Sequence, residues 1–289
     1  MSTHRRILVT GARGMLGTDL CAVLKDAGHE VIPADIQEFD ITHGPSTLAF
    51  AREHRPSVII NCAAYTAVDQ AETEREQAFR VNRDGARNIA QAAADVGAPL
   101  LHISTDYVFD GAKPGAYVED DPPNPATVYG ASKLAGEVAV QEALAQHCIV
   151  RTAWLYGIHG KSFPRTMLDL RLESKPLRVV DDQFGCPTYT RHLSRIVAKI
   201  IERPAYGVYH AVSAGSCSWY HLAAAVLWAA GLSPDIEPIP TSEFPRPAPR
   251  PANSILDTTK LQQTFGLAPP PWQEGVVAFV ARWKEEQRR

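Results

Sequence analysis

The chain of 289 residues lacks most of what would tie it to a nucleic acid, a membrane or an oxidising compartment. Its 29 lysines and arginines stand against 32 acids, a net charge of -3, so the basic footprint that duplex binding requires is missing. No apolar stretch approaches the roughly 20 residues of a membrane span. The positive start MSTHRR runs into Ile7–Thr10, too short for the apolar core of a signal peptide, and then into glycines, so export is not expected. Five cysteines, Cys21, Cys62, Cys148, Cys186 and Cys217, form an odd set with no CxxC pair, which argues against a disulfide framework or a zinc site. The expectation is a soluble, cytoplasmic protein with reduced, mostly buried thiols, in which local cations must hold any anionic ligand.

What is present suits a globular chain, with 45% hydrophobic and 21% charged residues. Ile7–Thr10, Glu30–Pro33, Val58–Asn61, Pro99–Ser104 and Cys148–Thr152 read as strands from their β-branched or apolar runs. Between them Met15–Ala27, Pro45–His54, Val81–Val96 and Tyr129–Leu144 carry apolar residues at helical spacing. This alternation predicts an α/β fold, a Rossmann-type doubly wound parallel sheet with helices on both faces. After about Thr152 the rhythm loosens. Helices are expected at Ser162–Ser174, His192–Ile201 and Ser218–Ala230, and strands at Leu177–Val180 and Val208–Val212, forming a smaller mixed α/β lobe for substrate. The division falls near residues 1–155 and 156–289, with the lobes interleaved. Pro238–Pro251, with prolines at 238, 240, 245, 247, 249 and 251, cannot be a helix, because proline lacks the donor and clashes with the preceding turn. It is a connector or an ordered wall of a cleft.

The first strand runs directly into Gly11-Ala-Arg-Gly14-Met-Leu-Gly17 and then a helix. Backbone in such a turn can approach a pyrophosphate seated on N–H groups at the positive helix end, which side chains on these glycines would block. Gly11, Arg13, Gly14, Met15, Leu16 and Gly17 are therefore candidates to hold a dinucleotide. The bland alternative is a tight turn with no ligand, which the strand–turn–helix context disfavours. Asp35, just past the second strand, could hydrogen-bond an adenine-ribose 2′-hydroxyl and repel a 2′-phosphate, favouring NADH. Arg13 could instead grip that phosphate bidentately, favouring NADPH. Because a bidentate contact can outweigh one acid free to turn toward water, dual use with a modest NADPH preference is expected.

Tyr129-Gly-Ala-Ser-Lys133 opens a helix on which residues four apart share a face. Such a tyrosine can deliver the proton that ketone reduction requires if the lysine lowers its pKa toward neutrality. The same spacing also describes a surface tyrosine beside a solvated lysine. Ser104-Thr105-Asp106-Tyr107-Val-Phe-Asp110-Gly111 follows a strand at its carboxyl end, where open α/β sheets bind ligands. Thr105 could polarise a carbonyl beside Tyr129. Asp106 is either a turn or cap residue or an acceptor for sugar hydroxyls.

The strings LVTGARGMLG, NCAAYTAVDQAE, AFRVN, ISTDYVFDG, YGASKLAGE, RTAWLYG, DDQFGCPTY and RPANSILDTTKL, in this order along the whole chain, resemble the dTDP-4-dehydrorhamnose reductase family. STDYVFDG and RPANSILDTTKL carry most of the specificity, whereas the GxxGxxG turn and YxxxK mark the wider short-chain dehydrogenase/reductase superfamily. The resemblance implies NAD(P)H-dependent reduction of the 4-keto group of dTDP-4-dehydro-L-rhamnose to dTDP-L-rhamnose, a precursor of cell-surface polysaccharide. It implies Tyr129 and Lys133 as the catalytic pair, Lys133 also holding the nicotinamide ribose, with Thr105 adjusting the tyrosine and touching the keto group. Asp106, Thr66, Val68 and Trp154 would line the sugar and nucleotide pocket, although Trp154 also reads as a core aromatic. Asp40 and Ile41 would flank the adenine, Ala63, Ala64 and Tyr65 the middle of the cofactor, and Asn82 would brace the sheet edge.

Two rival readings are an epimerase or dehydratase of the same superfamily and a non-catalytic NAD(P)-binding regulatory subunit. A dehydratase needs a second acid beside the threonine, and Thr105-Asp106-Tyr107 has none. An intact Thr105, Tyr129 and Lys133 argue for chemistry over regulation. Some members of the family dimerise around magnesium held by acids in the first helix and after a PTxxxE-like turn. Asp19 fits the first place, but Cys186-Pro-Thr-Tyr-Thr-Arg191-His192 puts basic residues at the second, where a hard cation wants oxygen ligands. A monomer or homodimer without bridging Mg2+ is expected, its partner a nucleotide-sugar substrate.

Overall fold

The computed structural model describes residues 4–203 and 205–288, so Met1–Thr3 of the positive start lie outside it. Five strands of the first half, β1 (Arg6–Thr10), β2 (Glu30–Ala34), β3 (Val58–Asn61), β4 (Leu100–Thr105) and β5 (His147–Thr152), lie parallel in one sheet. Helices α1 (Met15–Asp26), α2 (Gly44–His54), α3 (Val68–Ala71), α4 (Arg75–Phe79), α5 (Ala86–Val96) and α6 (Val128–Ala143) connect them. β3 and β4 are buried at every residue, which is why they read as apolar runs without alternation. The pleat still sorts the side chains, because successive residues of a strand point to opposite faces. Ile7, Val9, Ile60, Leu101 and Val150 pack on the α1 side, whereas Leu8, Ile59, Leu100 and Ile149 pack with α5 and α6. Each such side chain contributes about 1.5–3 kcal/mol by leaving water.

Past β5 the chain leaves the sheet and then returns. β6 (Leu155–Tyr156), α7 (Phe163–Leu172), β7 (Leu177–Val180), β8 (Phe184–Gly185) and β9 (Thr188–Tyr189) start a second lobe. α8 (Thr190–Glu202) then packs on α1, and β10 (Gly207–His210) pairs parallel with β5, completing a six-stranded sheet in the order β2, β1, β3, β4, β5, β10. β11 (Cys217–Ser218), α9 (Trp219–Ala230), β12 (Ile236–Ile239), β13 (Asn253–Ser254), α10 (Thr259–Phe265) and α11 (Trp272–Glu286) follow. The smaller core gathers α7, α9 and α11 around Tyr156, Tyr189, Leu222 and Phe279. No helix among the described residues is long and apolar enough to cross a membrane. The five cysteines are free.

The helix expected over Val81–Val96 is interrupted: a π-turn spans Arg80–Gly85 before α5 begins. The wider turn carries Asn82, which is buried and looks inward. Its side-chain Oδ1 accepts the Tyr65 N–H at 2.8 Å, and its side-chain Nδ2 donates to Tyr65 O at 3.0 Å and Ser132 Oγ at 2.9 Å. α6 then lies backbone on backbone against its neighbours. A Cβ on Gly136 would come 2.1 Å from the Asn82 carbonyl oxygen, and one on Gly130 would come 2.1 Å from that of Tyr107. The Thr127 hydroxyl caps this helix by accepting the Gly130 N–H at 3.0 Å.

The proline-rich stretch is ordered, and none of its residues lines the cavity at the strand ends. It starts inside β12, where Pro238 lies opposite Val179 of β7, a two-stranded pairing that tolerates a missing donor. Farther on, Ala248 is fully buried and its N–H donates to Asp69 at 3.2 Å. α11 was not among the sequence expectations. It buries Val276, Phe279, Val280 and Trp283 on one face.

Beneath α6 lies a buried ion pair. Glu137 takes three bonds from Arg151 of β5, at 2.8, 3.0 and 3.3 Å, and a fourth from the Ser104 hydroxyl. Both side chains are at most 4% exposed. Replacing Glu137 by alanine strands a guanidinium away from water, so Glu137→Ala should cost about 3–5 kcal/mol in urea unfolding; a loss within 1 kcal/mol, the range of a surface pair, would contradict this account.

Candidate functional site

A cavity of about 750 Å³ opens where β1, β2, β3, β4 and β5 end. It gathers Gly11, Arg13, Gly14, Met15, Leu16, Gly17, Asp35, Asp40, Ile41, Ala63 and Ala64 with Thr66, Val68, Thr105, Asp106, Tyr129, Lys133 and Trp154. Two residues singled out in the sequence do not line it. The Tyr65 hydroxyl donates to Glu74 at 2.8 Å, and Asn82 grips the Tyr65 backbone from behind. Sequence reasoning missed Ile36, Tyr107 and Leu155, which do line the cavity. Ile36 is 62% exposed immediately after Asp35, and an apolar residue at that strand end was the available signal.

The glycine turn is built by close approach. Gly11 has φ +66°, and a Cβ there would lie 2.7 Å from the Ala63 nitrogen, while one on Gly17 would lie 2.1 Å from the Gly11 carbonyl oxygen. α1 has Gly14 as its N-cap and so no side-chain cap, which leaves its first N–H groups for something else to satisfy. Arg13 does not hang free in this turn. Its guanidinium makes two 2.6 Å bonds to Glu38 and one of 2.9 Å to Gln37, while its own N–H donates to Asp35 at 2.9 Å. Asp40 accepts the Thr42 N–H at 2.8 Å.

At the catalytic candidates the pKa directions correct the sequence expectation. Burial pushes the Tyr129 phenol up to about 12, the Thr105 hydroxyl working against it and Asp106 adding to it. Lys133 does not bring the phenol toward neutrality. Its ammonium donates to the Ile103 carbonyl at 2.7 Å, and burial pulls its own pKa down to about 8 despite Glu137. At neutral pH the phenol therefore keeps its proton, the form a proton donor needs. Tyr107 meets Tyr129 edge to face with centroids 5.5 Å apart.

Asp106 stands beside them, 4% exposed. One carboxylate oxygen accepts the Thr105 hydroxyl at 2.9 Å, and the other, Oδ2, is buried without a partner among the described residues. Burial pushes this carboxyl up to about 6. Trp154 sits at φ +47°, a strained setting for a bulky residue. Its indole is fixed by stacking on Trp219, with centroids 3.5 Å and planes 6° apart, and by a 3.0 Å bond to the Ser254 hydroxyl. Asp19 is 2% exposed and engaged by the Thr190 hydroxyl at 2.6 Å and Arg282 at 2.9 Å.

Comparison with known proteins follows the same outline. The model of the RmlD substrate binding domain matches residues 5–285. A dTDP-4-dehydrorhamnose reductase of Burkholderia thailandensis is 43% identical over 94% of this chain and 96% of its own. The spore coat polysaccharide biosynthesis protein SpsK of Bacillus subtilis is 41% identical over 95% of this chain and 96% of its own. A crystal structure of dTDP-4-dehydrorhamnose reductase from Bacillus anthracis in complex with NADP superposes with a TM-score of 0.94 at 42% identity, covering 97% of this chain and 100% of that one.

The unpaired carboxylate oxygen has a measurable cost. The Asp106 pKa rises from 3.8 to about 6 on folding. The folded chain therefore binds the extra proton between about pH 4 and 6, and stability falls as pH rises through that window. Asp106→Asn should raise unfolding free energy at pH 7 by roughly 1–3 kcal/mol and change it little at pH 4. Denaturant titration at the two pH values decides: an equal effect at both removes the carboxylate charge as the cause.

Proposed function

The chain belongs to the family of the RmlD substrate binding domain, and from that premise we propose that it is an NAD(P)H-dependent reductase converting dTDP-4-dehydro-L-rhamnose into dTDP-L-rhamnose. The observation that carries this reading is the convergence of Thr105, Asp106, Tyr129 and Lys133 on the cavity that the glycine turn opens. The close-packed turn and the uncapped start of α1 fit a dinucleotide. Gly11, Gly14, Met15, Leu16 and Gly17 would hold its pyrophosphate, Asp40 and Ile41 the adenine, Ala63 and Ala64 its middle, with Tyr65 and Asn82 shaping that wall from outside. When bound, the dihydronicotinamide supplies a hydride to the carbonyl carbon C4.

The chain's own residues manage the proton and the orientation. Tyr129 donates its phenolic proton to the C4 oxygen as the carbonyl becomes an alcohol, one hydride and one proton being added in all. Thr105 places its hydroxyl against the same oxygen and against the phenol. Lys133 holds the nicotinamide ribose. Asp106, which lines the cavity, accepts a sugar hydroxyl. Thr66, Val68 and Trp154 wall the sugar and nucleotide, the second lobe contributing through Trp219 and Ser254, which fix the indole. The enzyme works in the cytoplasm as a monomer or homodimer.

Incubation with dTDP-4-dehydrorhamnose and either nicotinamide cofactor should consume reduced cofactor in step with dTDP-rhamnose formed, read by absorbance and product identification; turnover without net loss of reduced cofactor would mean an epimerase or dehydratase. Tyr129→Phe should lower kcat by roughly two to four powers of ten with cofactor affinity little changed, and near-normal turnover would remove Tyr129 from the mechanism.

Cofactor choice turns on Arg13. Its pair with Glu38 faces water, and such a pair opens at little cost when a better partner arrives. A 2′-phosphate is that partner, so both cofactors are used with a modest preference for NADPH. Arg13→Ala should weaken NADPH more than NADH in fluorescence titration. Equal losses, or a strong wild-type preference for NADH, would assign the choice to Asp35 instead.

A further inference from the structure

The carboxylate that the sequence offered to a bridging divalent cation is already paired inside the chain. Asp19 lies on α1, one turn after Met15 and on the same face, and Met15 lines the cavity at the glycine turn. Its Oδ2 accepts the hydroxyl of Thr190, the first residue of α8, at 2.6 Å, and its Oδ1 accepts Nη1 of Arg282, on α11, at 2.9 Å. The same Nη1 donates to the Tyr189 hydroxyl of β9 at 3.2 Å, and Nη2 meets His159 Nε2 at 3.5 Å. Side chains of β9, α8 and the loop after β6 thus gather around one acid and one guanidinium, 263 residues apart.

This donor set does not suit a divalent ion. A hard cation wants several oxygen ligands, whereas both oxygens of the single carboxylate are engaged, and among the described residues no three His, Cys, Asp or Glu side chains gather as a metal site. An incoming cation would also meet the charge of Arg282 at Asp19 and that of Arg191, which acts on the Tyr189 phenol. A buried carboxylate needs a positive partner all the same, and Arg282 supplies it.

The pair joins the two lobes where the cavity is built. α11 lies close on the second lobe: a Cβ on Gly275 would come 2.6 Å from the Tyr156 hydroxyl oxygen and 3.0 Å from Tyr189 Cβ. Arg282 follows seven residues later, two turns on and on the same face. From the other direction, Gly157 directly follows β6, and a Cβ there would come 2.3 Å from the Thr190 hydroxyl oxygen and 3.2 Å from Met15 Cγ. The segment that carries Trp154 and Leu155 into the cavity therefore ends packed against both α1 and the hydroxyl that Asp19 holds.

We propose that Arg282 is the resident cation of the Asp19 site, in the place of a divalent ion, and that the pair positions α1 and its dinucleotide turn against the second lobe. This rests on the dinucleotide reading of the glycine turn given above and adds what fixes that turn from behind. Arginine suits the task because it is charged at every working pH and its planar fork serves several acceptors at once. The acid so engaged is not free to share a metal with a second copy of the chain.

The test is fluorescence titration of the full chain with NADPH and NADH, in EDTA and in excess Mg2+ at constant ionic strength, beside thermal unfolding of the same samples. The wild-type chain should show the same affinities and the same unfolding temperature in both. Arg282→Gln should weaken both cofactors by roughly two- to thirtyfold, the range of coupling through a packed network. Its kcat at saturating cofactor should stay within about twofold, because the reacting groups are untouched. Arg282→Lys, which keeps the charge, should recover part of the loss, and it carries the comparison where Arg282→Gln does not fold. Asp19→Asn combined with Arg282→Gln should lose no more than the worse single change, as partners in one pair do. A wild-type affinity or unfolding temperature that Mg2+ raises overturns the cation assignment. Additive losses in the double variant, or kcat falling in step with affinity, overturn the positioning role. A wild-type chain that binds neither cofactor overturns the dinucleotide reading instead, and the unfolding temperatures of the same variants then decide the pair.

Discussion

The seating of α6 on the backbone of its neighbours is the constraint on which the rest of the site depends. Gly130 rests on the Tyr107 carbonyl and Gly136 on that of Asn82, each with no room for a methyl group. Lys133 reaches the Ile103 carbonyl of β4, and Glu137 reaches Arg151 of β5 and Ser104 of β4. These anchors leave the helix no freedom to slide or roll, so Tyr129 is presented to Thr105 at a set distance. Positioning at this tolerance is worth a great deal in catalysis, where about 1 Å of misplacement can cost a hundredfold.

Burial does the electrostatic tuning in the same few residues, and it moves acids and bases in opposite senses. Tyr129 is pushed up to about 12, Asp106 up to about 6 and Lys133 down to about 8. At neutral pH the phenol is protonated, and the carboxylate and lysine lie close enough to titration for a bound ligand to shift them. Desolvation disfavours every charged form. The group that stays neutral is the one positioned to give up a proton.

Much of this was legible because it is local. The alternation of β1 through β5 with their helices, the glycine turn and the Tyr129–Lys133 spacing are all written within a few residues of one another. What the sequence hid is long-range or depends on geometry. The π-turn at Arg80–Gly85 has no periodicity signature, and the partner of its Asn82 is Tyr65, 17 residues away. The pairing of β12 with β7 brings a proline-containing segment beside one some 60 residues earlier. Trp154 could not be told from a core aromatic because its stacking partner is Trp219 and its hydrogen-bond partner Ser254. The expected lowering of the Tyr129 pKa failed for a related reason: spacing shows that a lysine is near, but not that its ammonium has turned to a strand carbonyl.

The return of β10 to the edge of β5 bears on how the chain is made. About 55 residues separate the end of β5 from the start of β10, which at roughly 5–20 residues per second is some three to eleven seconds of synthesis. For that interval a nearly finished parallel sheet carries a bare outer strand, with unpaired N–H and C=O groups available to any passing β-segment. The α7 to β9 elements are translated during the gap, and their own core needs α9 and α11, which emerge later still. The nascent chain therefore passes through a stage in which neither lobe is closed, and a chaperone or a slow codon run placed before Gly207 has its largest effect there.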